Sequence, residues 1–169
     1  MHSTHDVFNQ AEPLADYNLF AGNQALQSAL KFNAPGLETA PLHALGASLG
    51  TREMQIHARL ANVNLPQLHT HDRLGRRVDE VECHPSYHAL MHAATKAGLH
   101  GSPWAPTLRT NVSSLPPEGA LAPRGGPSAL VANSPHTQRA AGFMLFTELE
   151  PSVLCPISMT YAVTPALRS

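Results

Sequence analysis

The amino-acid sequence predicts an all-α fold, and three observations support that prediction. Apolar residues recur at steps of three and four in several segments, which is the period of an amphipathic helix. Pro and Gly lie between those segments, where they end helices. Signals for β-strands are scarce, and no internal repeat is visible. The 169 residues therefore suggest one helical domain, long enough to bury a core of its own.

The N-terminal part predicts an arm followed by a helix. Residues 1–20 are expected to be extended, because Pro13 interrupts them and no helical period is present. The first helix is predicted over residues 22–32, and one side of it carries Leu26, Ala29 and Leu30. The Pro35-Gly36 pair then stops the helix.

Two further helices are predicted in close succession. Residues 38–49 carry an apolar stripe formed by Leu42, Leu45 and Leu49, and Gly50 ends that helix. Thr51 is suited to cap the next helix, which is predicted over residues 51–62. The inner face of this third helix is expected to consist of Met54, His57, Ala58 and Ala61.

The middle of the chain predicts a surface connection and then a fourth helix. Residues 65–81 contain Pro66, a turn at Leu74-Gly75 and mixed charges, which suggest a connection with one or two short extended pieces. The helix that follows opens at His84-Pro85, because proline is well suited to a first helical position, and runs to about residue 97. Its buried stripe is predicted to be Tyr87, Leu90, Met91 and Ala94, and Gly98 is its stop signal.

Residues 105–135 differ in composition from the rest of the chain. They contain six prolines and three glycines but no aromatic residue. Such a segment buries too little apolar surface to offset the entropy lost on ordering. We therefore expect a disordered or loosely packed loop here.

Two apolar helical runs close the sequence. They are predicted over residues 136–150 and 152–168, with Pro151 between them. Helices this apolar need a surface to pack against. The sequence therefore leads us to expect that further protein, absent from this chain, covers them.

Composition and charge disfavour several classes of protein. The formal net charge is −1, so the chain offers no basic surface for direct nucleic-acid binding. No apolar run is long enough to span a membrane, and the N-terminus lacks the features of a signal peptide. The two cysteines, Cys83 and Cys155, lack the spacing of a zinc or disulfide motif and suggest a reducing compartment. We therefore expect a cytoplasmic protein.

Eleven histidines raise the hypothesis of a metal site. His84, His88 and His92 are spaced to share one helical face, and His69 and His71 lie in the preceding connection. The HExxH arrangement of catalytic zinc sites is absent. The favoured interpretation is that these histidines cap, hydrogen-bond or lie at an interface, so no metal ligand is assigned.

The sequence assigns no catalytic residue. Nucleophile-elbow, Walker and dinucleotide-binding motifs are absent, and Cys155 has apolar neighbours that favour a packing role. Two interpretations remain open for the aromatic residues, which either belong to the core or line a pocket: Trp104, Phe143, Phe146 and Tyr161. Hydroxyl groups among apolar side chains of the last helix favour a pocket formed between domains: Ser158, Thr160 and Thr164.

Several strings in the sequence resemble one protein family. They are THDVFNQ and PLADYNLF near the N-terminus, GTREMQIHARLANVNLPQL, HDRLGRRVDEVECHPSYHALM, and RAAGFMLFTELEPSVLCPISMTYAVTPAL at the end. These strings are similar to the beginning of the alkylation-response (AidB) branch of the acyl-CoA dehydrogenase family. The resemblance covers nearly the whole chain except residues 105–135, where relatives have a shorter connection.

The resemblance implies a fold and a set of partners. Members have an N-terminal helical domain, a middle β-domain and a C-terminal helical bundle, and they assemble as homo-oligomers with FAD between the middle and C-terminal domains. Residues 1–104 and 136–169 would together form the N-terminal helical domain, and residues 105–135 would be an insertion. The missing domains would be its partners. No FAD ligand and no catalytic base transfers to this chain, which is expected to bind no flavin alone. The helix around Met159 and Thr160 would approach the substrate and flavin cavity.

The function hypotheses differ in the role of the parent protein. In the first, the chain is a piece of an FAD-dependent oxidoreductase that acts on CH–CH groups. In the second, it is a piece of a non-enzymatic alkylation-response or DNA-protection protein and supplies assembly contacts. A histidine metal module is the third hypothesis.

Overall fold

The computed structural model describes residues 9–104 and 135–168, and it is predominantly helical within these ranges. The prediction of a helical domain is confirmed, with the addition of one small antiparallel sheet. In chain order the elements are α1 (Leu19–Gly22), α2 (Gln24–Asn33), α3 (Ala40–Leu49), α4 (Arg52–Val63), β1 (Gln67–His71), β2 (Arg77–Glu82), α5 (Pro85–Lys96), a 3-10 turn (Ser102–Trp104), α6 (Pro135–Leu149) and α7 (Leu154–Arg168).

The start of the fold differs from the prediction. The arm predicted over residues 1–20 already enters the core, because Leu19 and Phe20 form part of the short helix α1 and are buried. The side chain of Asn23 accepts a hydrogen bond from the main-chain N–H of Leu26, so a new helix begins after it. Gly22 therefore ends α1 and does not open α2. Of the three residues expected to share one side of this helix, Leu26 and Leu30 are buried and Ala29 is exposed.

The two helices that follow confirm the prediction from periodicity. In α3, Leu42 and Leu49 are buried and Leu45 is half-buried. The side chain of Thr51 accepts a hydrogen bond from the N–H of Met54 and caps α4, as expected. The first N–H groups of a helix have no acceptor within the helix, and a threonine hydroxyl oxygen can accept a hydrogen bond from one of them.

Residues from both described ranges share one hydrophobic core. Its most buried side chains include Phe20, Leu42, Leu90, Leu145 and Phe146. Gly46 lets α3 lie close to α1, because a Cβ there would come within 2.6 Å of the main-chain nitrogen of Phe20. The helical segments before and after residues 105–134 therefore both contribute side chains to this core.

The expected surface connection is a β-hairpin. β1 and β2 pair antiparallel, and the register places Leu68 opposite Val81 and His69 opposite Glu80. Asp79 has a φ of 47°. Between the pairs His69–Glu80 and His71–Arg77, β2 contains one more residue than β1. An extra residue of this kind is a β-bulge. All residues of both strands are exposed.

The later helices agree with the prediction to within one or two residues at their starts. In α5, Leu90 and Ala94 are buried, Tyr87 and Met91 are half-buried, and Gly98 follows the helix with a φ of 74°. The proposed loop at residues 105–135 lies outside the described residues, apart from Pro135, which begins α6. Within the described part of the chain, no helix is both long and apolar enough to cross a membrane.

Candidate functional site on the last helix

The inner face of α7 is packed into the core. Leu154 and Ile157 are buried, and Val153 is buried just before the helix. Farther along, the indole Nε1–H of Trp104 donates a hydrogen bond of 2.9 Å to the main-chain oxygen of Tyr161. Contacts at the start and in the middle of the helix fix the rotation of α7 about its own axis.

A cluster of aromatic and cationic side chains holds the middle of α7 against α6. The Arg139 guanidinium lies 3.7 Å from the centre of the Tyr161 ring, and its Nε donates to the main-chain oxygen of Leu99 at 2.7 Å. His136 Nδ1 lies 2.6 Å from the Tyr161 hydroxyl oxygen, and the imidazole packs edge-on against Trp104. Burial lowers the pKa of Arg139, and the interaction with Tyr161 partly opposes this. The cluster therefore has a structural role in orienting α7.

Glu150 joins α6 to α7. It is only 2% exposed, and its two carboxylate oxygens accept hydrogen bonds of 2.9 Å from the main-chain N–H groups of Ser152 and Val153. The Nδ2 group of Asn62, on α4, donates a third bond to the same carboxylate. Burial by itself would raise the pKa of Glu150, but these hydrogen bonds to the charged form outweigh burial and place the pKa below its usual value.

The outer face of α7 is exposed and apolar. Met159 is 68% exposed, and Cys155, Val163 and Leu167 continue the same face at helical spacing. Thr160 lies beside this face, and its hydroxyl donates to the main-chain oxygen of Pro156 at 3.0 Å, which leaves the hydroxyl oxygen able to accept. We call this exposed surface, defined by Cys155, Met159, Thr160, Val163 and Leu167, the α7 outer face.

The other residues considered from the sequence are distributed over the core and the cluster. Phe146 is fully buried in the core, whereas Phe143 and Tyr161 are half-buried against Arg139. Ser158 and Thr164 are half-buried at the flanks of α7. The structure therefore separates a packed inner side of α7 from the outer face that carries Met159 and Thr160.

A groove of about 690 Å³ lies elsewhere, between α3, α5 and α6. Its floor includes Leu42 and Leu45, and its rim includes Lys96 and Arg139. None of the described residues that line it belongs to α7. The groove is therefore separate from the α7 outer face.

The histidines make several different contacts. The His84 side chain accepts a hydrogen bond from the N–H of Ser86 and caps α5, and His57 Nδ1 lies 3.1 Å from the Ser86 hydroxyl oxygen. His69 on β1 lies 2.9 Å from a carboxylate oxygen of Glu82. Among the residues that the structure describes, no group of three or more His, Cys, Asp or Glu side chains is placed to hold a metal ion.

Sequence reasoning missed Arg139, Glu150 and Asn62 as structural determinants. The position of Glu150 directly before Pro151-Ser152 offered a signal, since an acceptor at the start of a helix satisfies free N–H groups. Arg139 and Asn62 gave no such signal, because their partners are distant in sequence.

Comparison with known proteins identifies relatives across the chain. Residues 9–115 and 127–169 match the family model of the adaptive response protein AidB N-terminal domain. Over 168 residues, the chain is 39% identical to the putative acyl-CoA dehydrogenase AidB of Escherichia coli strain K12. The match covers 99% of this chain and 27% of the E. coli protein, so the chain spans about a quarter of that relative's length.

Two solved structures share the fold. Caenorhabditis elegans ACDH-11, solved in complex with C11-CoA, superposes with a TM-score of 0.58 over 92% of this chain and 23% of its own, at 20% identity. The apo-form of Bd2924 superposes with a TM-score of 0.56 over 83% of this chain and 24% of its own, also at 20% identity. These matches support the helical architecture and again cover about a quarter of each larger chain.

Proposed function

We propose that this chain, which belongs to the AidB N-terminal-domain family of acyl-CoA dehydrogenase-like proteins, serves as the helical N-terminal domain of a larger flavoprotein. In this proposal the parent is an FAD-dependent oxidoreductase acting on CH–CH groups. The α7 outer face contributes one wall of its substrate and flavin cavity, with Met159 and Thr160 nearest to the cavity.

The observation that carries this proposal is the contrast between the two sides of α7. The inner side is fixed by buried aliphatic residues, by Trp104 and by Arg139. The outer side presents a thioether, aliphatic groups and a hydroxyl oxygen that can accept a hydrogen bond. A rigid helix with an exposed apolar face and few polar groups is suited to form part of a ligand cavity once another domain covers it.

In this proposal the α7 outer face does not hold the flavin on its own. FAD carries a pyrophosphate, which requires several donors or cations, and the α7 outer face supplies neither. This chain is therefore proposed to take no part in the chemical step, and its role in the parent is to shape the cavity and to exclude water. The purified chain alone is expected to retain no flavin, and a stoichiometric flavin absorbance after purification would contradict this.

A chimera tests the role of α7. The corresponding N-terminal part of the E. coli relative is replaced by this chain, and bound flavin per protein is measured. We expect the chimera to retain flavin, and we expect Met159→Asp in the chimera to reduce the retained fraction. Ile56→Asp serves as the control, because Ile56 is an exposed apolar residue on α4. Equal flavin content in all three proteins would argue against a cavity role for α7.

The alternative hypothesis keeps the same domain but makes the parent a non-enzymatic alkylation-response protein. Here the chain would act through assembly contacts, and the net charge of −1 is consistent with no direct nucleic-acid binding. If the chimera binds flavin normally but Met159→Asp changes only its oligomeric state, this alternative is favoured. Strong, salt-sensitive DNA binding by the chain itself would contradict both.

Three further proposals concern organisation, location and assembly. Residues 105–135 are proposed to be an insertion into the domain, which the interruption of the family match at residues 116–126 supports. A cytoplasmic location is proposed from the two free thiols, Cys83 and Cys155. The complete parent is proposed to be a homo-oligomer.

A further inference from the structure

The groove between α3, α5 and α6 has apolar walls without an aromatic ring. The walls include Leu45, Leu49, Met54 and Leu99, and several alanines lie between them. Among the described residues that line the groove there is no Phe, Tyr or Trp. A flat ligand would therefore find no ring to stack on, whereas a flexible aliphatic chain can fill the space between leucine and alanine side chains. The volume of about 690 Å³ lies within the range of small-molecule sites.

One end of the groove is polar and cationic. Lys96 lies in the last turn of α5, and the Nε group of Arg139 on α6 donates to the main-chain oxygen of Leu99, three residues after Lys96. Both cations are therefore at the C-terminal end of α5, where Ser102 and Gln138 also line the groove. Gln138 belongs to the first turn of α6, and the N-terminal end of a helix carries a partial positive charge.

The opposite end of the groove is apolar. His57 Nδ1 lies 3.1 Å from the Ser86 hydroxyl oxygen, where α4 meets the start of α5. Met54 precedes His57 by one helical turn and Ala89 follows Ser86 by one turn, so both line the groove at this end. From Ala89 to Lys96 is a rise of about 10.5 Å along α5. These dimensions suit an extended ligand of medium length with a polar group at one end.

The positive charge at the polar end has no anionic partner within the described part of the chain. Neither Lys96 nor Arg139 forms an ion pair there, and no described Asp or Glu lines the groove. The Nη2 atom of Arg139 is buried and has no hydrogen-bond partner, so no acceptor offsets this part of the guanidinium. Unpaired cations beside an apolar surface favour an amphipathic anion, which gains from both charge attraction and apolar burial.

We propose that this groove binds an unbranched aliphatic monocarboxylate of medium length, such as decanoate. The carboxylate lies at the C-terminal end of α5, where it accepts hydrogen bonds from the exposed Lys96 ammonium group, and the charge of Arg139 adds to the attraction. The chain runs along the alanines of α5 towards Met54 and is covered on its other sides by Leu45 and Leu49. A cationic amphiphile of the same length would be repelled at the polar end.

The groove and the α7 outer face can be tested separately. None of the described residues that line the groove belongs to α7, and binding in the groove requires no flavin. Met159→Asp is therefore expected to leave the affinity for decanoate unchanged. Loss of flavin binding in the chimera would not affect this inference, and a chain that binds no decanoate would not affect the proposed role of α7.

The first test is calorimetric titration of the full chain with ligands that differ in head group and length. We expect saturable binding of decanoate, at least about tenfold tighter than that of decyltrimethylammonium, because only the anion meets the cations. From hexanoate to decanoate the affinity should rise by up to about fourfold for each added methylene. No saturable binding of decanoate, or equal affinity for the cationic amphiphile, would overturn the proposal.

A charge variant tests the position of the head group. Lys96→Met should weaken decanoate binding by about tenfold or more and leave the binding of decanol unchanged, because the alcohol carries no charge. Lys31→Met is the matched control, since Lys31 is also exposed and lies in the last turn of its own helix, α2, outside this groove. Equal affinity for decanoate in the Lys96 variant and the natural chain would refute the assignment of Lys96.

A steric variant tests whether the ligand lies in the groove. Ala44 on α3 is exposed and lines the groove, so Ala44→Trp should fill the groove and abolish decanoate binding while the helical circular dichroism is retained. Ala47→Trp is the control, because Ala47 is exposed on the same helix but does not line the groove. Undiminished binding in the Ala44 variant would place the ligand elsewhere.

A protein segment is the competing occupant of the groove. Sedimentation of the full chain, with and without decanoate, distinguishes the two. We expect decanoate binding that does not depend on protein concentration. Self-association that Ala44→Trp abolishes and decanoate does not reverse would show that a second copy of the chain occupies the groove, and would overturn the proposal.

Discussion

The side-chain amide of Asn62 on α4 donates a hydrogen bond of 3.2 Å to the carboxylate of Glu150, 88 residues later in the chain. The same carboxylate accepts the first free N–H groups before α7. One buried anion thus links the first half of the domain to the helix that carries the α7 outer face. Because an isolated buried charge is costly, the contribution of the Glu150 carboxylate to stability depends on all of these donors.

Replacing Glu150 by Gln should destabilise the domain. The amide has one acceptor oxygen, and its N–H₂ group would face main-chain N–H donors, so at least one buried N–H loses its partner. The expected loss in the free energy of unfolding is about 1.5–3 kcal/mol. Urea denaturation measures it. Glu148→Gln, on the exposed side of α6, is the matched control, because its amide oxygen can still accept the hydrogen bond that Asn23 Nδ2 donates to Glu148. Stability should change by less than about 0.5 kcal/mol.

The contribution of Glu150 should depend on pH with a defined sign. Its pKa is lower in the folded chain than the value of about 4.3 expected for an unfolded chain. As the pH falls, the unfolded state therefore binds the proton first. The stabilisation is complete above the pKa of the unfolded chain and is lost as the pH falls through the pKa of the folded chain. The difference in unfolding free energy between the natural chain and Glu150→Gln should shrink on acidification. A difference that stays constant from neutral to acid pH would contradict this account.

The sequence predicted the elements whose signals are local. The recurrence of Leu42, Leu45 and Leu49 and the cap at Thr51 are contained within a few residues, and both were confirmed. The helix α1 was missed because its four residues are too few to show a period, although Asn18 and Asn23 are good capping residues on either side of it. Position in the core, and not propensity, determines that this short segment is helical.

The candidate site was only partly predictable. From the resemblance to a family, the helix around Met159 and Thr160 is expected to approach a cavity, and this stays a prediction; in the structure both residues are exposed. The features that orient α7 depend on tertiary contacts over tens of residues, such as Trp104 with Tyr161 and Arg139 with Leu99. The face of Val78 depends on the bulge at Asp79, which alternation of side chains along the sequence does not reveal.

Gly46→Ala should disrupt the contact between α1 and α3. A Cβ at this position would lie 2.6 Å from both the main-chain nitrogen of Phe20 and the Oδ1 atom of Asn18. Backbone atoms cannot move aside cheaply, so we expect a loss of about 1–3 kcal/mol or more. Gly22→Ala is the control, because its nearest atoms are 3.9 Å away, and it should be neutral or stabilising by up to about 1 kcal/mol. Equal thermal stability of the two variants would show that the helices separate without cost.

Arg139→Lys should lower the stability of the domain, even though it preserves the charge. The guanidinium stacks on Tyr161 while its Nε donates to Leu99, and an ammonium group lacks both the plane and the fixed donor direction. We expect both Arg139→Lys and Arg139→Met to lower the unfolding free energy by about 1–3 kcal/mol. We also expect the near-ultraviolet circular dichroism of Trp104 to change, because α7 and Trp104 share this cluster. Arg59→Lys, at an exposed position on α4, is the control. Full rescue by lysine would mean that charge alone, and not the planar contact with Tyr161, holds α7 in place.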